Sequence, residues 1–243
     1  MRRPSLVDNP MEPRHHSYAR ERITMLWSVM VHPWDAAASE DEWRAWLAVG
    51  RNFGQLVVAD PGGWPAVVRT HFTADDERTV LVHLARPNPL WRLIEAQPRV
   101  VLTVVDDDAY VPTTWRAAPG SPARDGVPTS YYAAVQLRCR AEIVDDPEGK
   151  AELLRRQLHF LQPEQEHAPV SVDDPPYARL LPGIRGLRLH VVDVLAKFKF
   201  DDHKPTEHRL SIADRLQERD QGRDRGARAQ QLRRLHASQV QPP

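Results

Sequence analysis

His83 and Arg86 stand three residues apart at the end of an apolar run, and Asn88-Pro89 follows where a helix could begin. A helix N-terminus offers free amides and the positive end of its dipole, so an arginine beside one suits an anion such as a phosphate group. Read alone, Arg86 is also consistent with a surface residue paired to a carboxylate. Asn88 can accept from an amide of the first turn, and Pro89 loses nothing there by lacking one. A second group, His203, His208, Asp201, Asp202 and Glu207, carries side chains that zinc accepts. The spacing is weak as a metal signature, and a charged, solvated loop before a helix is the plain alternative. Cys139 falls on the inward face of an alternating segment and reads as a small core residue, not a nucleophile. No Ser-His-Asp set, P-loop or Gly-rich dinucleotide pattern occurs.

The elements that must position these residues are mostly strands. Thr24 to Val31 suggests a first strand, and Ser39 with Glu42 predicts a helix through Trp43, Trp46 and Leu47, stopped near Gly50. Gln55 to Ala59 and Ala66 to Phe72 flank Asp60-Pro61-Gly62-Gly63 and read as a hairpin. Thr79 to Leu84 is the next strand, followed by the helix that opens at Asn88 and ends at Pro98. Val100 to Val105, nearly all apolar, reads as a central strand covered on both faces. Val135, Leu137, Cys139, Ala141 and Ile143 alternate with polar residues, which predicts a strand with one core face. Asp146-Pro147 caps a helix whose Leu154, Leu158 and Leu161 form a stripe expected to pack into the core. Gly186 to Leu195 is the last predicted strand, and Ser211 with Asp214 predicts a further helix. Strands in close succession with inserted helices imply an antiparallel barrel and not a parallel βαβ sheet.

Three regions follow: a mobile N-terminal extension over 1–22, a barrel domain over 23–217, and a polar Arg/Gln-rich tail over 218–243, read as a solvated or frayed helix. The 243 residues carry a formal net charge of zero, so no whole-molecule field draws the chain to nucleic acid or an anionic membrane. A single cysteine excludes an internal disulfide and fits a reducing compartment, and no apolar run is long enough to span a bilayer. These features predict a cytoplasmic protein.

The stretch His83-Leu84-Ala85-Arg86-Pro87-Asn88-Pro89 resembles the His-Leu-Ala-Arg-Ala-Asn-Pro motif of the PaiB-type FMN-binding proteins, described as negative transcriptional regulators and related to the pyridoxamine-phosphate-oxidase-like split barrels. His71-Phe72 sits where that family has a His-Leu-Pro strand end, and Asp108-Ala109-Tyr110-Val111 with Trp115 resembles its Ala-Tyr-Val-Ser-Pro-Ser-Trp. Val127-Pro128-Thr129 with Tyr132 is similar to Val-Pro-Thr-Trp-Asn-Tyr, and Lys197-Phe198-Lys199-Phe200 to Lys-Trp-Lys-Leu. The resemblance runs in order from about Trp27 to Leu216. It implies a homodimeric, antiparallel split β-barrel with peripheral helices, an α+β fold, holding FMN at the subunit interface. It also implies that Arg86 binds the phosphate, aided by the Asn88 helix start, and that His83 and Thr129 line the groove. Tyr110, Trp115 and Tyr132 would face the ring or the interface, and Lys197 and Lys199 would add charge at the phosphate end.

The chain departs from the pattern at Ser130-Tyr131, where the family has Trp-Asn, and at Asp201-Asp202-His203, where it has Ser-Gln-Asn. Cys139, Pro87 and Pro112-Thr113-Thr114 are further departures. An acid near a flavin phosphate costs on the order of 1 kcal/mol per exposed contact unless a cation offsets it. Three readings stand on this sequence: an FMN-binding regulator, a flavin-dependent oxidoreductase acting on a small molecule, and a flavin-free interaction protein. DNA contact has no helix-turn-helix signature, and the Arg219 to Arg234 stretch is the single basic run.

Overall fold

The computed structural model describes residues 30–240. Residues 33–243 form one compact unit, and everything below concerns that unit. The predicted strand over Thr24 to Val31 and the N-terminal extension fall outside the described residues, except for Met30 and Val31, which belong to no strand.

Seven strands form one antiparallel sheet: β1 (Phe53–Val58), β2 (Ala66–His71), β3 (Thr73–Ala74), β4 (Thr79–Ala85), β5 (Arg99–Val111), β6 (Thr129–Val144) and β7 (Ile184–Lys199), in the order β2-β1-β5-β6-β7-β4-β3. β2 also comes into contact with β4, so the sheet curls round toward itself. Period-two alternation sends Leu56, Val82, Leu102, Val104, Tyr131, Val135, Leu137, Leu187, Leu189 and Phe198 into a single core. The β1–β2 turn follows from its residues: Gly63 adopts φ 91°, a conformation glycine enters without steric cost, and its amide donates to the Asp60 carbonyl.

Among the described residues, six α-helices sit around the sheet: α1 (Glu40–Ala48), α2 (Leu90–Ala96), α3 (Pro147–Leu161), α4 (Tyr177–Leu180), α5 (Thr206–Arg219) and α6 (Asp224–Val240). Ser39 Oγ caps α1 by accepting from the Glu42 amide, and Asp146 Oδ1 caps α3 by accepting from the Gly149 amide at 2.7 Å. Leu153 of α3 packs with Leu81 and Val144, while Leu154 and Leu158 pack against Ala151, Val170 and Leu181. Of the predicted stripe, Leu154 and Leu158 are thus partly buried against a small side cluster and Leu161 is half-buried outside it, while the fully buried leucine of the helix is Leu153. Cys139 is buried among these inward residues, and burial pushes its thiol up to about 12. Iodoacetamide should leave it unmodified in the native protein and alkylate it after denaturation, a difference that intact mass spectrometry reads directly.

Three expectations need correction. The Val100 to Val105 run is not covered on both faces, because Val101 and Thr103 are half-buried and Val105 is 54% exposed. Ser211 lies inside α5, which starts at Thr206 after Pro205, so the Ser211/Asp214 pattern is not a helix start. The helix expected in the Arg/Gln-rich tail is present as α6, but it is not solvated: it docks on the barrel with Ala227, Gln231 and Leu235 buried.

The docking of α6 is largely ionic. Arg233 and Arg234 donate to Glu42 Oε1 at 2.6 and 2.7 Å, Arg234 also meets Asp202, and Arg223 reaches Asp106 and Asp108. Burial raises the Glu42 carboxyl pKa, but the Ala38 amide and the Arg234 and Arg233 guanidinium groups outweigh it and hold the group below its usual range. Asp224 is likewise held low: burial opposes ionisation, and Arg219 with the Gln221 amide wins. Both folded pKa values lie below the unfolded ones. Their contribution to stability is therefore complete above the unfolded carboxylate range, about pH 4 to 5, and is lost as pH falls through the depressed folded values. Acidification toward about pH 3 should expose the α6 amides to hydrogen exchange before those of β6 and β7, and Glu42→Gln should flatten that pH dependence.

Among the described residues, no helix is long and apolar enough to cross a membrane.

Candidate functional site

The outer wall of β2, β1, β5, β6 and β7 is open. Strand register sets side chains in rows across it: Arg69, Gln55, Thr103, Gln136 and Leu195 form one row, and Val67, Val57, Val101, Arg138 and Asp193 the next. Phe53 faces His71 with ring centroids 4.8 Å apart, and Val105 is opposite Ala134, itself opposite Lys197. Phe53, Val67, Val105 and Tyr110 are between 51% and 59% exposed, although each is large and apolar. A solvated sheet face usually carries polar residues at such positions, so this wall is suited to being covered.

Its corner at the end of β7 gathers five of the expected residues. Lys199 is opposite Tyr132, and its Nζ donates to Thr129 Oγ1 at 2.7 Å. Lys197 shares their face, its Nζ 5.6 Å from the Tyr132 ring centroid. Tyr110 stands opposite Ser130 and is exposed. The pleat explains the grouping: Tyr131, Ala133 and Phe198 go inward to the core, which sends Tyr132, Lys197 and Lys199 outward. Two ammonium groups and a hydroxyl beside aromatic and aliphatic surface fit an anionic group attached to a flat ring.

His83, Arg86 and Asn88 lie elsewhere, at the β4–α2 junction. His83 Nδ1 is 2.6 Å from Gln157 Oε1, and since the Gln157 amide nitrogen already donates to the Leu81 carbonyl, the ring nitrogen is the donor. Asn88 Oδ1 accepts from the Leu90 amide at 3.0 Å, which makes it the cap the sequence predicts. Arg86 is not held open for a phosphate. Its guanidinium grips both oxygens of Asp145 at 2.5 and 3.3 Å while Nε donates to the Pro182 carbonyl. Arg86, then Arg185 and Lys150, hold the Asp145 carboxyl below its usual range. The carboxylate-partner reading of Arg86 describes this geometry, because a bidentate pair uses the fork a phosphate would need.

Trp115 is separate again. Arg219 lies 4.7 Å and Arg215 6.0 Å from its ring centroid, and with Glu207, Leu210 and Asp214 it lines an open groove of about 780 Å³ along α5. His203 lies tilted against Trp34 with ring centroids 5.0 Å apart while His208 faces Asp201 at 3.5 Å, so the histidines of the weak metal pattern turn to different partners.

The acids at the departure from the resemblance do not face the lysine corner. Asp201 is buried and bound by Arg116 and the Tyr131 hydroxyl, and Asp202 by Arg209 and Arg234. Each has its own cation, which removes the repulsion expected of it. Sequence reasoning missed Arg116, Tyr131 and Gln231 as members of this group because single polar residues inside apolar or basic stretches carry no periodic signal.

Comparisons with known proteins agree with the geometry. The family model described as "Putative FMN-binding domain" matches residues 30–193. Protease synthase and sporulation protein PAI 2 of Bacillus subtilis (strain 168) is 27% identical over 183 residues, covering 71% of this chain and 82% of that protein. Among solved structures, the flavocytochrome Anf3 from Azotobacter vinelandii superposes with a TM-score of 0.57 at 22% identity, covering 75% of this chain and 78% of the other. The FAD and heme binding protein from Mycobacterium smegmatis gives 0.54 at 12% identity, with 73% and 79% covered. These structures show the same barrel fold. The match spans more than half of the chain, which therefore belongs to the family described as "Putative FMN-binding domain" and has the split-barrel fold.

Proposed function

We propose that this protein holds FMN on the open wall, with Lys197 and Lys199 at the phosphate and Tyr132, Val105 and Tyr110 beside the ring, and that a second copy of the chain covers it. The observation that carries this reading is the lysine pair next to exposed apolar residues on one sheet face. A phosphate there is met by charge-assisted donors, and the ring gains a partly apolar surface that a second copy would dry further. The flavin itself would supply any electron or hydride transfer; the protein binds, orients and shields it.

The role is regulatory, as the family resemblance implies, and sited in the cytoplasm, for which the buried lone thiol is the support. The stretch from Arg219 to Arg234 is poorly suited to bind DNA, because Arg219, Arg223, Arg225, Arg233 and Arg234 are already paired with carboxylates. Freshly purified protein should be yellow, contain FMN in proportion to chains, and have the solution mass of a dimer. A colourless, monomeric preparation that takes up no added FMN would refute the proposal. Fast, specific anaerobic reduction by a nicotinamide donor would replace the regulatory role with an oxidoreductase one while keeping the site.

A further inference from the structure

Asp201 stands two residues beyond Lys199, 3% exposed and at φ 59°, a left-handed conformation that aspartate enters more readily than most residues. Its Oδ2 accepts from the Tyr131 hydroxyl at 3.0 Å and from Arg116, and His208 Nε2 lies 3.5 Å away. Gln231 of α6 donates to the Tyr131 oxygen at 3.1 Å. One carboxylate thus ties the start of β6, the end of β7 and the turn after β5 together, with His208 of α5 close by. Two of these residues adjoin the lysine corner along the chain: Tyr131 precedes Tyr132, and Asp201 follows Lys199 by two. In a strand, neighbouring side chains point to opposite faces, so fixing an inward residue fixes its outward neighbour.

We infer that Asp201 is a positioning residue for the flavin site: together with Arg116 it sets the outward geometry of Tyr132 and Lys199 without touching the ligand itself. The inference rests on the function proposed above. Arg116 and Asp201 are 13% and 4% exposed at their side chains, so each is the other's required counter-charge and removing one strands its partner. The phenol of Tyr131 stays protonated, since burial and then the Asp201 charge drive its pKa upward, and it remains a donor to that carboxylate.

The test is FMN titration into apoprotein. Asp201→Asn keeps the side-chain volume and can still accept from Tyr131, but leaves Arg116 uncompensated; the FMN dissociation constant should rise about tenfold, with altered quenching of flavin fluorescence in the bound state. The double variant Arg116→Gln/Asp201→Asn, in which both charges are gone, should return to within about threefold of wild type. An acid with a merely structural role would lower the melting temperature of Asp201→Asn and leave FMN affinity of the folded protein unchanged; that result overturns the inference. If Asp201→Asn does not fold, Arg116→Lys keeps the charge, loses the planar fork and should show a smaller loss of affinity, an unchanged affinity again being the refuting outcome. Wild-type protein that binds no FMN at all refutes the proposed function itself, and so is told apart from a failure confined to Asp201.

Discussion

Lys197→Ala/Lys199→Ala should weaken FMN binding by roughly a hundredfold or more while leaving the melting temperature of the apoprotein nearly unchanged. A hydrogen bond to a charged group contributes about 1.5–3 kcal/mol, so two such bonds to a phosphate amount to about 3 kcal/mol or more, and each 1.4 kcal/mol is a factor of ten. Neither lysine belongs to the core, since both project from the outer wall. Fluorescence titration with FMN and with riboflavin checks the assignment, because the variant should lose its preference for the phosphorylated ligand. Arg86→Ala is the companion measurement. Its contact with Asp145 is 44% and 37% exposed and so contributes at most about 1 kcal/mol to stability. A loss of FMN affinity in Arg86→Ala as large as that of the double variant would move the phosphate back to the β4–α2 junction and refute the lysine assignment.

The largest effect on stability is expected from Asp107→Ala. Asp107 sits in the bulge of β5, buried and at φ 56°, where the pairing with β6 slips between Asp106 and Ala109. Its carboxylate accepts from Trp46 Nε1 at 2.8 Å and from Arg51 Nη2 at 2.8 and 2.9 Å. Alanine would leave a buried indole donor unpaired and a mostly buried guanidinium with the more exposed Asp106, at 3.4 Å, as its remaining counter-charge, and would occupy a positive φ poorly. Breaking such a pair costs about 3–5 kcal/mol, a large share of a typical domain's stability. Urea denaturation should show a lower midpoint at unchanged slope, with Asp107→Asn losing less because it keeps an acceptor. A change below about 1 kcal/mol would show that the carboxylate does not hold the bulge. Gly226 of α6 belongs to the same contact: a Cβ there would lie 2.3 Å from Asp107 Oδ1, so the helix can settle on the bulge only because that residue has no side chain.

Much of this architecture was legible from period and punctuation. The alternating segment of β6, the Pro-Gly-Gly hairpin, and the Asp146 and Ser39 caps each announce themselves through residues within one element. What stayed hidden depends on distant partners. The apolar run of β5 looked covered on both faces because Val101 and Val105 are as hydrophobic as Val100 and Val104, and sequence cannot distinguish a residue facing the core from one facing a wall that waits for cover. The docking of α6 escaped notice, though not the helix, because its inner face carries Arg and Gln whose partners, such as Glu42 and Asp202, lie far away in sequence. The same blindness applied to Arg86, whose carboxylate partner comes 59 residues later. Among the expected site residues, Tyr132, Lys197 and Lys199 came together because they share strands with strict alternation, whereas His83 and Trp115 were drawn away by helices α3 and α5.

The way the last helix settles on the barrel also bears on where the chain can be cut. Arg233 and Arg234 lie over the Phe198 ring at 5.6 and 5.4 Å, and Phe198 in turn meets the edge of Trp46. Trimming at Gln217, a natural choice if everything beyond it were a loose tail, would uncover both aromatic rings and strip Glu42 and Tyr131 of their far-end partners. A shortened protein that is meant to remain soluble must therefore run at least through Leu235, and a tag is better fused after the helix than substituted for it.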